Sequence, residues 1–324
     1  MREVVCTGFG PLQDLRVVER ASAPCGAQQV RVQVRAAGVN FVDALFVQGL
    51  YQIKPPLPFV PGNEIAGEVV EAGGEVSGVA LGDRVFANVG LGGFASEVVV
   101  DAQRVMPTPA ALTDGQAATF TQSYLTAMFA LRERAAATAG QWLLVLGAGG
   151  GVGLAAVDVG RAIGLRVIAA ASTEAKRVEA MARGAEAVID SSSDGVKERA
   201  KQLSGGGVDL VYDPVGGAAG ETALRALADD GQFLVIGFAS GSIPQLPANQ
   251  VLLRNRRVTG VDWGGWVARG NVAANQAMLA DVLALIERGQ LHPVEPAVYA
   301  LDDAARALDD QQHRRVTGKA CLVP

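Results

Sequence analysis

The residues with the clearest chemical purpose lie in one run, Leu143 to Val157, LLVLGAGGGVGLAAV. An apolar stretch leads into glycines and then into a helix-forming segment. Ala148, Gly150 and Gly153 take the three fixed positions of a GxGxxG fingerprint, with alanine in the first. Each position answers a physical demand. A small first residue permits a tight turn, Gly150 lets the backbone approach a pyrophosphate, and Gly153 lets helix and strand pack closely. Gly151 and Val152 open the helix, whose unpaired N–H groups and partial positive charge suit phosphate. A structural glycine turn is the plain alternative. The strand before the run, the helix after it and the βα units that follow favour dinucleotide binding instead. No Gly-Lys-Ser/Thr follows, so the run is not a P-loop.

The next strand ends in Ala169, Ala170, Ala171 and Ser172. An NAD-binding fold usually places an acidic residue there to hold the ribose 2′-hydroxyl. Ser172 takes the spot, with Lys176 and Arg177 a turn later. A hydroxyl and two cations suit a 2′-phosphate, so NADPH is the expected cofactor. The alternative is that Glu174 grips the ribose while Lys176 and Arg177 are surface charges.

The elements that must position this site follow from hydrophobic patterning. Val30–Ala36 alternates apolar and polar residues as a half-buried strand does, and Glu64–Ala72 and Ala95–Val100 also read as strands. Glycine-rich turns and a proline-punctuated loop at Pro55, Pro56, Pro58 and Pro61 join them, which suggests a barrel-like domain. Thr113 and Gln116 have capping-box spacing before a helical pattern through Leu131. From Trp142 strands and helices alternate. Strands are expected at Trp142–Leu146, Arg166–Ala170, Ala187–Ile189, Val208–Tyr212, Gln232–Gly237 and Arg257–Val261. Helices are expected at Val152–Ile163, Glu174–Arg183, Asp194–Leu203 and Gly217–Ala228. Alternation of this kind means an α/β fold with a doubly wound parallel sheet. A long helix near Asn271–Arg288, a short one from Asp302 and a last strand at Lys319–Val323 complete the chain.

Composition sets outer bounds. The chain has 324 residues, 49% hydrophobic and 19% charged, which suits about two globular domains. A net charge of −5 argues against a dedicated nucleic-acid binder. The densest basic cluster, Arg254, Arg256 and Arg257, reads as an exposed turn. Two uncharged stretches, Ala135 to Val157 and Gly231 to Leu253, are broken by glycines or prolines, so no membrane span is expected. Cys6, Cys25 and Cys321 form no disulfide framework, and Met1–Gly10 has no secretory pattern, so a cytoplasmic protein is expected.

Several further stretches resemble a known family: Ala37–Asp43 (AGVNFVD), Gly49–Gly67 (GLYQIKPPLPFVPGNEIAG), Gly82–Val85 (GDRV), Tyr124–Ala127 (YLTA), Gly147–Gly153, Gly237–Pro244 (GFASGSIP) and Gly260–Gly264 (GVDWG). Together they span nearly the whole chain. They are similar to the zinc-independent quinone oxidoreductases of the medium-chain dehydrogenase/reductase superfamily, in the zeta-crystallin-like branch. The resemblance implies a GroES-like β-barrel catalytic domain, residues 1–121 and 265–324, with a Rossmann domain at 122–264. It implies substrate and nicotinamide in the cleft between them, and a homodimer or homotetramer pairing the last Rossmann strand near Arg257–Val261. It places Asn40 near the nicotinamide ribose or substrate and Thr126 on the cofactor. Gly237, Phe238 and Ser240 would line the nicotinamide side, Val215 would flank the adenosine, and Tyr51 would lie near the substrate mouth. Zinc-dependent relatives carry a Cys before the Asp of the first motif and Gly-His-Glu in the second. This chain has Asn40 and Gly62-Asn63-Glu64, lacks four clustered cysteines, and has only His292 and His313, so no metal site is expected. Departures are Leu45 and Val47 where such oxidoreductases often have Tyr and Arg, and Ser191 where a Tyr often binds the 2′-phosphate.

Other residues have plainer alternatives. Tyr51 is a proton donor or a packing residue, and Asn40 binds a substrate carbonyl or caps local backbone. Asp43 and Glu64 serve structural hydrogen bonds. Asp309 and Asp310 are expected in solvent near a helix end. Trp263 and Trp266 form an aromatic cleft wall or pack in a core or interface. The expected function is hydride transfer from NADPH to a quinone or other conjugated carbonyl, without zinc. The enzymatic alternative is an alkenal/enone or enoyl-CoA reductase of the acryloyl-CoA type. The non-enzymatic alternative is a crystallin-like NADPH-binding protein.

Overall fold

The computed structural model describes residues 1–193 and 195–324. The chain divides into two compact units, residues 1–121 with 293–324, and residues 122–292. The first unit opens with β1 (Arg2–Val5), β2 (Arg16–Glu19), β3 (Gln29–Val39), α1 (Phe41–Gln48), β4 (Glu64–Ala72), β5 (Arg84–Asn88), β6 (Glu97–Asp101), β7 (Val105–Pro107) and α2 (Asp114–Ala117). Next come α3 (Thr121–Met128), β8 (Trp142–Val145), α4 (Gly151–Ala162), β9 (Arg166–Ala171), α5 (Glu174–Ala182), β10 (Ala187–Asp190), α6 (Val196–Ser204), β11 (Val208–Asp213) and α7 (Gly217–Leu224). The second unit finishes with β12 (Leu227–Val235), α8 (Ala248–Leu252), β13 (Arg257–Gly260), α9 (Trp263–Ala268) and α10 (Val272–Glu287). The chain then returns to the first unit with β14 (Ala297–Ala300), α11 (Ala304–Gln312) and β15 (Ala320–Val323).

The first unit is built on β3. Its alternation buries Val30, Val32 and Val34 and turns Gln33 and Arg35 to solvent. Each such valine contributes roughly 1.5–3 kcal/mol of burial. The strand order is β14-β15-β3-β4-β5-β7, with β6 also on β3. Every pair is antiparallel except β14 with β15. Where β4 crosses β3, a side chain at Gly67 would meet the Gln33 carbonyl at 2.0 Å, so only glycine passes. The capping box forms as its spacing requires: Thr113 Oγ1 accepts from Gln116 N at 3.1 Å, and Thr113 N donates to Gln116 Oε1 at 3.0 Å.

The second unit is a six-stranded parallel sheet, β10-β9-β8-β11-β12-β13. Its central strands are continuous buried apolar runs, as helix-covered parallel strands are. The winding reverses between β8 and β11, the switch point where such sheets bind ligands.

The structure departs from the sequence expectations in several places. Residues 265–292 belong with the second unit, not the first. Trp266 stacks on Phe129 with ring centres 4.8 Å apart, Trp263 Nε1 donates to Asn275 Oδ1 at 2.8 Å, and Arg132 pairs with Asp281 at 2.9 Å. The two tryptophans therefore help bind α9 and α10 to that unit. Helix α7 stops at Leu224, and β12 begins at Leu227, then bends at Asp230 (φ +62°) before pairing resumes at Gln232. Arg256 is not on an exposed turn. It is 4% exposed, and its guanidinium donates to the carbonyls of Leu227, Ala228 and Gln250, tying β12 to the segment before β13. Asp309 and Asp310 are not simply solvated, because Arg315 bridges both and Tyr299 donates to Asp310 at 2.9 Å. Asp194, the expected start of α6, lies outside the described residues. No helix among the described residues is long and apolar enough to cross a membrane.

Candidate active site

The glycine-rich turn joins β8, beside the switch point, to α4. Gly147 takes a left-handed conformation (φ +57°), Ala148 N donates to the Ala170 carbonyl at 3.0 Å, and Gly150 caps α4. The glycines divide their work. A side chain at Gly153 would stand 2.3 Å from the Gly147 carbonyl oxygen, so the helix could not sit on the turn. A side chain at Gly150 would find its nearest atom at 3.5 Å, so nothing in the fold demands glycine there. What Gly150 keeps open is approach to the backbone from outside. Helix geometry leaves the N–H groups of Gly151, Val152 and Gly153 without intrahelical acceptors, as an anion-binding terminus requires.

The other expected cofactor residues gather at the C-terminal ends of the same strands. Ser172 is exposed at the end of β9. The Lys176 stem lies over the turn, within 2.5 Å of where a Gly149 side chain would be. Arg177 is engaged: it pairs with Asp190 at 3.0 Å and donates to the Ala171 carbonyl at 3.1 Å. Asp190 thus holds Arg177 at the end of β10. At the end of β11, Asp213 Oδ1 accepts from Val215 N (2.8 Å) and Gly216 N (2.9 Å). Burial pushes the Asp213 carboxyl up while those two N–H groups hold it down. This carboxylate shapes the loop that carries Val215. The loop is also stitched to the end of β12: Ala239 N bonds the Pro214 carbonyl at 3.0 Å and Ser240 N the Val215 carbonyl at 2.9 Å. Gly237, Phe238 and Ser240 are held there, with Phe238 exposed.

Thr126 lies half-buried on α3. Two residues before it, Tyr124 donates to Asp158 Oδ2 at 2.8 Å. Asp158 is fully buried on α4 and also takes Arg161 (3.1 Å) and the His292 N–H (2.5 Å). This carboxylate, absent from the sequence expectations, locks α3 against α4 and so fixes Thr126 relative to the glycine turn. Its only sequence signal is one acid inside the apolar run of α4.

Asn40, Asp43, Tyr51, Asn63 and Glu64 belong to the first unit. Asn40 precedes α1 and forms a capping box with Asp43, whose Oδ2 accepts Asn40 N at 2.8 Å. Asn40 is 4% exposed. Its Nδ2 donates to Asn63 Oδ1 (2.9 Å) and Glu64 Oε2 (2.8 Å), and its Oδ1 accepts from Lys319 Nζ. The side chain is engaged at both ends by other side chains of the same unit. Burial pushes the Asp43 carboxyl up to about 7, opposed by the Asn40 N–H and the Lys319 ammonium. Burial also lowers Lys319, opposed by Glu64 and Asp43. Lys319 was not among the sequence candidates. Tyr51 packs edge-on against Phe46, ring centres 4.8 Å apart, beside the exposed Leu50 and Ile53.

Comparison with known proteins follows this division of the chain. The family described as alcohol dehydrogenase GroES-like domain matches residues 26–110, and the family described as zinc-binding dehydrogenase matches residues 151–286. Quinone oxidoreductase-like protein 2 of Rattus norvegicus is 38% identical over 323 residues, covering 99% of this chain and 91% of its own length. Quinone oxidoreductase of Pseudomonas aeruginosa is 33% identical, covering 100% and 99%. The crystal structure of Escherichia coli quinone oxidoreductase complexed with NADPH superposes with a TM-score of 0.88 at 29% identity, covering 100% of both chains. Among the described residues no three His, Cys, Asp or Glu side chains come together as a group that could hold a metal ion. The cluster around Asn40 joins two amides, the Lys319 ammonium and the Asp43 and Glu64 carboxylates, with no Cys or His among them. A GroES-like domain joined to a Rossmann-type parallel sheet, with these relatives along its full length, makes the chain a member of the quinone oxidoreductase-like family of the medium-chain dehydrogenase/reductase superfamily.

Proposed function

We propose that the protein is an NADPH-dependent reductase of quinones or other conjugated carbonyls, working without zinc. The observation that carries this reading is the glycine turn: Gly150 lies open to a ligand where the fold has no need of glycine, directly before the α4 N-terminus. Bound NADPH would supply the hydride. The N–H groups of Gly151, Val152 and Gly153 would bind its pyrophosphate, and Ser172 and Lys176, with Arg177 behind them, its 2′-phosphate. Val215 would flank the adenosine. Gly237, Phe238 and Ser240 would line the nicotinamide, with Thr126 and Asn40 also directed to the cofactor. A quinone needs little beyond positioning to accept hydride. An enone or enoyl thioester also needs a proton at carbon, for which Tyr51 is the proposed donor. The exposed Leu50, Ile53 and Leu57 near Tyr51 suit an apolar acceptor. We place homodimer or homotetramer contacts on β13, one of the two edge strands of its sheet.

A steady-state panel of simple quinones, enones and an acryloyl thioester with NADPH tests the reading. Turnover of at least one class supports a reductase, and the order of kcat/KM ranks the acceptors. Tight NADPH binding without turnover on any of them would make the protein a nucleotide-binding protein instead.

A further inference from the structure

The end of β9 is where a sheet of this kind reads the nucleotide ribose, with an acid for a 2′-hydroxyl or a cation for a 2′-phosphate. Ser172 stands there, with Lys176 and Arg177 in the first turn of α5. A fourth residue reaches the same corner from another strand. Parallel pairing of β10 with β9 sets Asp190 opposite Ala171, one residue before Ser172. Its carboxylate is held by the turn that follows β10: Oδ1 accepts from Ser192 N at 2.9 Å and from Ser192 Oγ at 2.6 Å. Ser192 Oγ also lies 3.5 Å from the Ser172 carbonyl oxygen. The other carboxylate oxygen stands 3.0 Å from Arg177 Nη1, and that nitrogen donates to the Ala171 carbonyl at 3.1 Å. The two Ser192 bonds, and Arg177 after them, hold Asp190 below the usual carboxylate range, so it is charged at neutral pH. The charges at this corner therefore do not add as their sequence positions suggest. Lys176 and Arg177 bring two positive charges, and Asp190 takes one back. The side chains of the pair are 20% and 26% exposed, so water and salt screen their attraction only in part. A phosphate that engages Arg177 must do so against Asp190.

We propose that Asp190 is a specificity-determining residue that restrains the preference for NADPH over NADH: its carboxylate neutralises Arg177 and leaves recognition of the 2′-phosphate to Ser172 and Lys176. The inference rests on the placement of that phosphate at the end of β9 and is independent of which acceptor is reduced. NADH has no phosphate at this position, so the restraint bears on NADPH and leaves NADH nearly untouched. The pyrophosphate contacts at the glycine turn are common to both nucleotides and do not enter the difference.

The test titrates the full-length protein with NADPH and with NADH, followed by nicotinamide fluorescence, and needs no turnover. Asp190→Asn keeps the shape of the side chain and an oxygen for Ser192 while removing the charge, and Asp190→Ser replaces it should the first variant fail to fold. The variant should bind NADPH about threefold to fivefold more tightly, the size expected for one partly exposed ion pair, and NADH within about twofold of the wild type. The gain should shrink as salt is added. Adding Arg177→Gln to Asp190→Asn should cancel it, because the two residues act as one pair. Lys176→Gln tests the placement on which the inference rests and should lose NADPH affinity but not NADH affinity. If Lys176→Gln behaves so while Asp190→Asn gains nothing, the role of Asp190 alone is overturned. Weaker NADPH binding by Asp190→Asn also overturns it, because the carboxylate would then aim Arg177 at the phosphate rather than restrain it. A gain that survives Arg177→Gln overturns it too, because Asp190 would then act on the phosphate directly. If Lys176→Gln binds NADPH as the wild type does, the placement of the phosphate falls and the inference falls with it.

Discussion

Gly150 and Gly153 stand three residues apart in one motif, yet replacing each by alanine should have separable effects. At Gly153 the new methyl would lie 2.3 Å from the Gly147 carbonyl, about 1.1 Å short of the 3.4 Å at which ordinary contact begins. The obstacle is backbone, so α4 must shift off the turn. Overpacking of this kind costs roughly 1–3 kcal/mol. For a unit of this size that is a Tm fall of roughly 2–12 °C. A displaced α4 also misdirects its N–H groups, so NADPH affinity should fall as well. At Gly150 the methyl meets nothing closer than 3.5 Å, and its φ of −91° suits any residue. Gly150→Ala should therefore hold stability within about 0.5 kcal/mol. The methyl would instead occupy the path of the pyrophosphate, and NADPH affinity should fall by about tenfold or more, roughly 1.4 kcal/mol. Thermal melts of the apoprotein, paired with fluorescence titration of NADPH, separate the two effects. The reasoning is refuted if Gly150→Ala melts as low as Gly153→Ala, or if it binds NADPH as the wild type does.

Tyr124, Asp43 and Tyr51 each carry a further prediction. Tyr124→Phe removes a hydrogen bond to the buried Asp158 carboxylate and should destabilise the protein by about 1.5–3 kcal/mol in urea unfolding. Asp43 has a folded pKa raised from 3.8 to about 7 by burial. The folded state therefore holds a proton that the unfolded chain has lost, and the Asp43 contribution is fully present below about pH 3.8 and lost as pH rises to about 7. At 1.36 kcal/mol per unit, the difference is of order 4 kcal/mol, and Asp43→Asn should flatten that part of the stability profile while the wild type declines across it. If Tyr51 donates the enone proton, Tyr51→Phe should lower the ratio of enone to quinone turnover by about tenfold or more; an unchanged ratio would assign Tyr51 to packing.

What could be read from sequence was whatever local pattern dictates. The glycine turn was legible because strand, turn and helix demand it over a few consecutive residues, and the sheet followed from repeated apolar runs. The capping box at Thr113 was legible for the same reason. The residues missed are long-range. Lys319 reaches Asn40 only through the pairing of β15 with β3. Asp158 shows its role only when α3, α4 and His292 converge on it. Arg256 looked exposed because its neighbours Arg254 and Arg257 are charged, whereas the bend in β12 offers carbonyls that only a buried guanidinium reaches. The extent of the second unit was misjudged because α10 carries no local mark of which unit it packs on.

The central claim is reduction of a conjugated carbonyl at the expense of NADPH. Its most direct test is loss of reduced-nicotinamide absorbance when the purified protein is mixed with 1,4-benzoquinone and either NADPH or NADH. Oxidation much faster with NADPH than with NADH is the result that Ser172 at the end of β9 and Lys176 on α5 require. Equal rates with the two nucleotides would contradict the assignment of those residues to the 2′-phosphate, and no oxidation with either, here or with the enone and thioester acceptors, would contradict the reductase itself.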